Sequence, residues 1–207
     1  MKSTKHILGA LTIFLWSLPC LVSAGYQEGR DAFDRMDYPT ALKEFKELAD
    51  QNDALGQYGL GVMYDLGGGV PQSSKEAAKW YRLAAEQGNA DAQNNLGAMY
   101  ESGEGLPQDS KEAVKWYRRA AEGGNFDAPN NLGAMYLTGI GVPRDYVRAH
   151  MWFDLALLRK DRAAAKNMRF VMKKMSQDQI AEARKLAKDW MEIYESRAYQ
   201  SRWKRLR

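Results

Sequence analysis

The phrase LG-x-MY opens at Leu60, at Leu96 and at Leu132, a step of 36 residues each time. Trp80, Trp116 and Trp152 keep the same step. Residues 53–88 and 89–124 agree at 22 of 36 positions without a gap, more than shared composition produces. A unit this short cannot bury an apolar face by itself. It has to stack on a copy of itself, so the chain is expected to form an array rather than one closed core. The units run over 53–88, 89–124 and 125–160.

Each unit reads as two helices. In the first, Leu96, Met99 and Tyr100 stand at i, i+3 and i+4. In the second, Ala77, Trp80, Tyr81, Ala84 and Ala85 form one apolar stripe, with Lys79, Arg82 and Glu86 charged on the other side. Ser73 with Glu76, and Asp109 with Glu112, have the spacing of a side-chain cap answered by a reciprocal carboxylate. Asn89 and Asn125 are placed to cap the first helices of the following units. Gly67, Gly103 and Gly139, with Gly69, Gly105 and Gly141, fall where turns need left-handed backbone. Gly61, Gly97 and Gly133 fall inside a helix instead, where Gly costs ~1 kcal/mol relative to Ala. A cost repeated in one register predicts a neighbour too close for a Cβ. Leu at Gly97 should therefore be costly. Ala at Gly68, whose slot holds Glu104 and Ile140, should be nearly silent.

The pattern A-x-x-x-L-G-x-M-Y-x-x-G-x-G-(V/L)-P-Q-(D/S)-x-K-E-A-x-K-W-Y-x-x-A-A-E-x-G resembles the Sel-one-like repeat, a relative of the tetratricopeptide repeat, over roughly residues 53–160. The resemblance implies an all-α, right-handed superhelical solenoid of antiparallel helix pairs that serves as a scaffold in assemblies or signalling. Residues 25–52 resemble the partial helical pair that precedes such arrays, with Phe45 in the register of Tyr81. The chain lacks the cysteines of the family's disulfide-linked branch and is similar to its exported, cysteine-free bacterial members.

The array should stop after residue 160. Lys160 stands in the slot of Gly88 and Gly124, and Arg169 in the slot of Gly97. A helix carrying Arg162, Lys166, Arg169 and Lys173 has a wet outer face and suits a terminal cap. Ser176 with Gln179 starts another helix, whose Ile180, Ala183, Leu186, Ala187 and Trp190 can close the core; 161–195 thus read as capping helices. Pro129, in the slot of Gln93, should delay or loosen the start of its helix.

Residues 1–24 read as a secretory signal. A basic start is followed by an apolar run of 12 residues and by Val22, Ser23 and Ala24, so cleavage is expected between Ala24 and Gly25. The run is shorter than the ~20 residues of a spanning helix. Pro19 before Cys20 speaks against a lipoprotein signal. Cleavage would leave no cysteine, so thiol chemistry is excluded from the mature chain. Together with the family resemblance, the signal points to the periplasm of a Gram-negative host.

The mature chain holds 28 basic and 26 acidic residues, but five of the basic ones (Arg197, Arg202, Lys204, Arg205, Arg207) lie in residues 196–207, which contain no acid. The body is acidic overall, which excludes a nucleic-acid-binding body. The tail, with Tyr199 and Trp203 among its cations, reads as a solvated end; weak contact with an anionic surface is its other reading.

No chemistry-bearing motif emerges, and no catalytic residue, metal ligand or cofactor is expected. His150 is alone in a helix register beside Met151 and Trp152, without the partners of a metal site. The glycines at 67–69 lack the ending and the preceding strand of a phosphate loop. Ser201-x-x-Lys204 has the spacing of a penicillin-binding serine motif, with no further motif to complete it.

What remains is binding. Stacked units present a concave surface, and the polar positions that packing leaves there are Tyr58, Asn94 and Asn130, then Asn95 and Asn131, then Asp65 and Glu101. Asn95 and Asn131 could equally bond backbone within the array. The leading expectation is a monomeric, non-enzymatic adaptor for another envelope or secreted protein. The alternative is a binder or hydrolase of cell-wall or β-lactam-like ligands.

Overall fold

The computed structural model describes residues 14–158 and 161–194. Residues 1–13 of the expected signal, Lys160, and the tail 196–207 with its Ser201-x-x-Lys204 spacing lie outside the described residues. Ten helices and no strand make up the described part. The first pair is α1 (Phe14–Asp34) with α2 (Tyr38–Asp50), and the second is α3 (Ala54–Leu66) with α4 (Ser74–Glu86). Then come α5 (Ala90–Ser102) with α6 (Ser110–Glu122), and α7 (Ala128–Thr138) with α8 (Tyr146–Leu157). The chain closes with α9 (Arg162–Met172) and α10 (Gln177–Tyr194). From α1 to α9 each helix packs on its neighbours in sequence, while α10 turns back onto α8. The first helices of successive units also touch, α3 against α1 and α5, and α9 against α7. Closer spacing on that side makes it the inner side of the solenoid. α1 runs unbroken through Ala24 and Gly25. No helix among the described residues is long and apolar enough to cross a membrane.

The helix starts follow from side-chain caps. Asp53 Oδ1 accepts from the amides of Leu55 and Gly56, and Asn89 Oδ1 from Ala92. Ser73, Asp109 and Asp145 open α4, α6 and α8 in the same way. The reciprocal half expected of Glu76 and Glu112 is not made. The amides of Ser73, Asp109 and Asp145 donate instead to the carbonyls of Tyr64, Tyr100 and Tyr136, each at 2.9 Å. The turn has already satisfied the donor, and Glu76 and Glu112 pair with Lys79 and Lys115. A full reciprocal box does form at Ser176 and Gln179, where the Ser176 amide donates to Gln179 Oε1.

Pro129 acts as its ring dictates. α7 has 11 residues against 13 in α5, and it starts two positions later in its unit. Asn125 is displaced from the cap: it accepts from the amides of Asp127 and Ala128 in the turn before the helix, while Asp127, at the helix start, makes no side-chain cap.

The in-helix glycines lie under aromatic rings. A Cβ on Gly61 would stand 2.5 Å from the Tyr81 ring, on Gly97 2.8 Å from Tyr117, and on Gly133 2.5 Å from Phe153. All three rings are buried, so the ~1 kcal/mol propensity cost is offset by close ring-on-backbone packing. Gly68 departs from expectation. Its Cβ would meet the Phe33 ring at 2.6 Å and the Tyr38 ring at 3.1 Å, because the end of α1 packs beside the start of α2 there. The equivalent Glu104 instead reaches the start of α4 and accepts from Ser74 Oγ.

The C-terminal end is capped with one change. Arg162, Lys166 and Arg169 are exposed on α9 and Lys173 at its C-cap, and Ile180, Ala183 and Ala187 are buried on α10. Trp190 meets Trp152 edge-on at 5.5 Å. Leu186 stays exposed and does not join the core, because α10 turns Ile180, Ala183 and Ala187 inward.

Candidate functional site

The expected binding positions sit on α3, α5 and α7, the helices that line the inner side. Each is half-buried rather than left over by packing. Tyr58 places its ring 5.9 Å from that of Tyr81. Asn94 Oδ1 accepts from Asn131 Nδ2 at 3.1 Å, which ties α5 to α7. Asn95 lies beside the Tyr81 hydroxyl and acts to lower its pKa. Asn131 therefore bonds a side chain, where backbone bonding had been the other reading. Asn130 Oδ1 is buried with no hydrogen-bond partner, an acceptor the array itself does not satisfy.

Asp65 and Glu101 form a second set. The Tyr81 hydroxyl donates to Asp65 Oδ2 at 3.1 Å, and the Tyr117 hydroxyl to Glu101 Oε2 at 2.7 Å. Burial, then the Asp65 charge, hold the Tyr81 hydroxyl above its ordinary pKa; burial, then the hydrogen bond to Glu101, do so for Tyr117. Both hydroxyls stay protonated and keep donating. In the third unit the same two slots hold Leu137 and Phe153, so the acid and the hydroxyl disappear together. This predicts coupling. Tyr117→Phe alone leaves a half-buried carboxylate without its donor and should cost about 1–3 kcal/mol. Tyr117→Phe with Glu101→Leu should cost less than the sum of the single changes, by about 1 kcal/mol or more in a denaturant-unfolding cycle.

Sequence reasoning missed a second ladder. Arg82 donates to the Tyr100 hydroxyl and Arg118 to the Tyr136 hydroxyl, each at 2.7 Å, binding one unit's second helix to the next unit's first. The signal was present as an Arg–Tyr offset of 18 residues repeated at the 36-residue period. Asp154 fills the Arg slot in the third unit and lies beside His150, with Oδ2 3.2 Å from Nδ1. His150 is 1% exposed and packs within α8. Among the described residues no three His, Cys, Asp or Glu side chains are grouped to hold a metal ion.

At the N-terminal end of the inner side lies a groove of about 310 Å³, lined by Tyr26, Arg30, Phe33, Asp34, Tyr58 and Asp91 among others. Asp91 also accepts from Asn125 Nδ2 at 2.9 Å. The lining combines aromatic walls with two carboxylates and one guanidinium.

The Sel1 repeat profile matches residues 54–89, 90–125 and 127–161, more than half of the chain. The chain belongs to the Sel1 repeat family. Its solved relatives share the architecture. The Sel1 repeat protein from Oxalobacter formigenes is 35% identical with a TM-score of 0.61, covering 68% of this chain and 58% of that one. The protein c5321, a protective antigen present in uropathogenic Escherichia coli strains and displaying an SLR fold, is 28% identical with a TM-score of 0.60, covering 90% of this chain and 48% of that one. The chain thus spans about half to three-fifths of the length of these two Sel1 repeat structures. No curated protein matches it. Sel1 repeat proteins generally mediate protein–protein interaction.

Proposed function

We propose that this Sel1 repeat protein is exported through a signal cleaved between Ala24 and Gly25. In the periplasm it acts as a non-enzymatic scaffold, binding another envelope protein along its inner face. The observation that carries the reading is the row Tyr58, Asn94 and Asn130 along the first helices of successive units, each half-buried and so partly open on that side. Tyr58 in the adjoining groove would supply an aromatic anchor. Asp65, Glu101, Asn95 and Asn131 support the surface by holding its helices in register, with a lesser share in contact. The neighbour that is a protective antigen is in keeping with an exported location.

Because the row is half-buried, alanine at all three positions would loosen the array as well as the contact. Ala98 is exposed one turn beyond Asn94 on the same helix and offers a cleaner test. Ala98→Arg should leave stability within ~0.5 kcal/mol and reduce capture of the envelope partner at least tenfold in a pull-down from crosslinked cells. Undiminished capture by Ala98→Arg would remove the inner face from the proposal.

A further inference from the structure

Charge is divided along the array. Residues 25–110 carry 7 basic and 15 acidic side chains, whereas residues 111–207 carry 21 basic and 11 acidic ones. The aromatic groove lies at the acidic end, with Asp34 exposed on it, Asp91 within it, and Arg30 the cation among the residues that line it. At the other end the chain continues from α10 into residues 196–207, five cations with Tyr199 and Trp203 and no acid. We propose that the groove takes residues 196–207 of a second copy, joining copies head to tail.

The chemistry of the two parts is complementary. Guanidinium groups stack on aromatic faces and pair with carboxylates, and the rings of Tyr26, Phe33 and Tyr58 with Asp34 and Asp91 provide both. Long-range attraction between an acidic and a basic end orients the encounter the same way. A second copy fits better than the chain's own tail. α10 leaves from α8, about three helix spacings of ~10 Å each from α3. Extended from Tyr194, the chain's own tail covers that ~30 Å only by about Trp203, which leaves Arg197 and Tyr199 short of the groove, whereas a second copy can seat the whole segment. The contact is heterologous, so it propagates unless its rotation closes a ring. It replaces the expectation of a monomer and does not depend on export; because it occupies the groove at Tyr58, it competes with a partner bound there.

Sedimentation velocity on the purified full chain, over two decades of concentration at low and high salt, tests this. The mass should rise with concentration at low salt and return to that of a monomer at high salt. Deleting residues 196–207 should abolish the rise, as should Asp34→Lys, which changes an exposed side chain. Mixing these two variants should then give pairs that stop at one copy of each, since one keeps the groove and the other the tail. A full chain that stays monomeric at every concentration overturns the proposal. So does association that survives the tail deletion, or a mixture that fails to pair although both variants keep their helix content and melting temperature.

Discussion

Gly105→Val should be among the most damaging single changes in the array, at about 2–5 kcal/mol. Left-handed backbone costs an L-residue ~1–2 kcal/mol, and Gly105 has φ of +73°. Its added Cβ would also stand 2.2 Å from the Ser74 carbonyl oxygen, and an overpacking strain of this kind adds ~1–3 kcal/mol. The obstacle is backbone at the start of α4, so the loop of one unit would have to lift off the unit before it. Gly88→Ala separates the two causes. Gly88 has φ of +90° with nothing within 4 Å of its Cβ, so it should show the conformational cost of ~1–2 kcal/mol alone. Equal losses from the two substitutions, read as denaturant midpoints, would mean that the loop does not seat on the preceding unit.

Trp116→Ala should cost about 3–5 kcal/mol, the range for truncating a buried aromatic side chain. Trp116 is 7% exposed and packs in the cluster of Ala77, Ala84, Leu96 and Met99, so it joins the second helix of one unit to the unit before. The Arg119 guanidinium lies 4.7 Å from its ring centroid and would lose that contact too. Stability in a stacked array is a sum over neighbouring interfaces. Weakening a central one should lower the melting temperature by about 10 °C and divide the single transition into two. A drop of only a degree or two would contradict the interface assigned to Trp116.

The periodic parts of the fold are legible in the sequence because a stacked array writes its contacts once per unit. The glycines at 61, 97 and 133 announce the rings of Tyr81, Tyr117 and Phe153, since a helical Gly repeated in register needs a steric reason. Contacts outside the period are not legible. Gly68 looks free when compared with Glu104 and Ile140, yet Phe33 belongs to a pair that does not repeat. The return of α10 onto α8 is hidden for the same reason, because an amphipathic stripe does not name its partner. At the candidate surface, residue type shows that Asp65 and Glu101 recur but not what they meet. Their link to Tyr81 and Tyr117 becomes readable only with the joint loss of acid and hydroxyl at Leu137 and Phe153.

The central claim is that partners bind on the inner side formed by the first helices. A photo-crosslinking side chain placed at Ala98, exposed on α5, and in a second strain at Lys115, exposed on α6, tests it inside the cell. The account predicts a covalent adduct with an envelope protein from position 98 and none from position 115. Adducts from position 115 alone would contradict it.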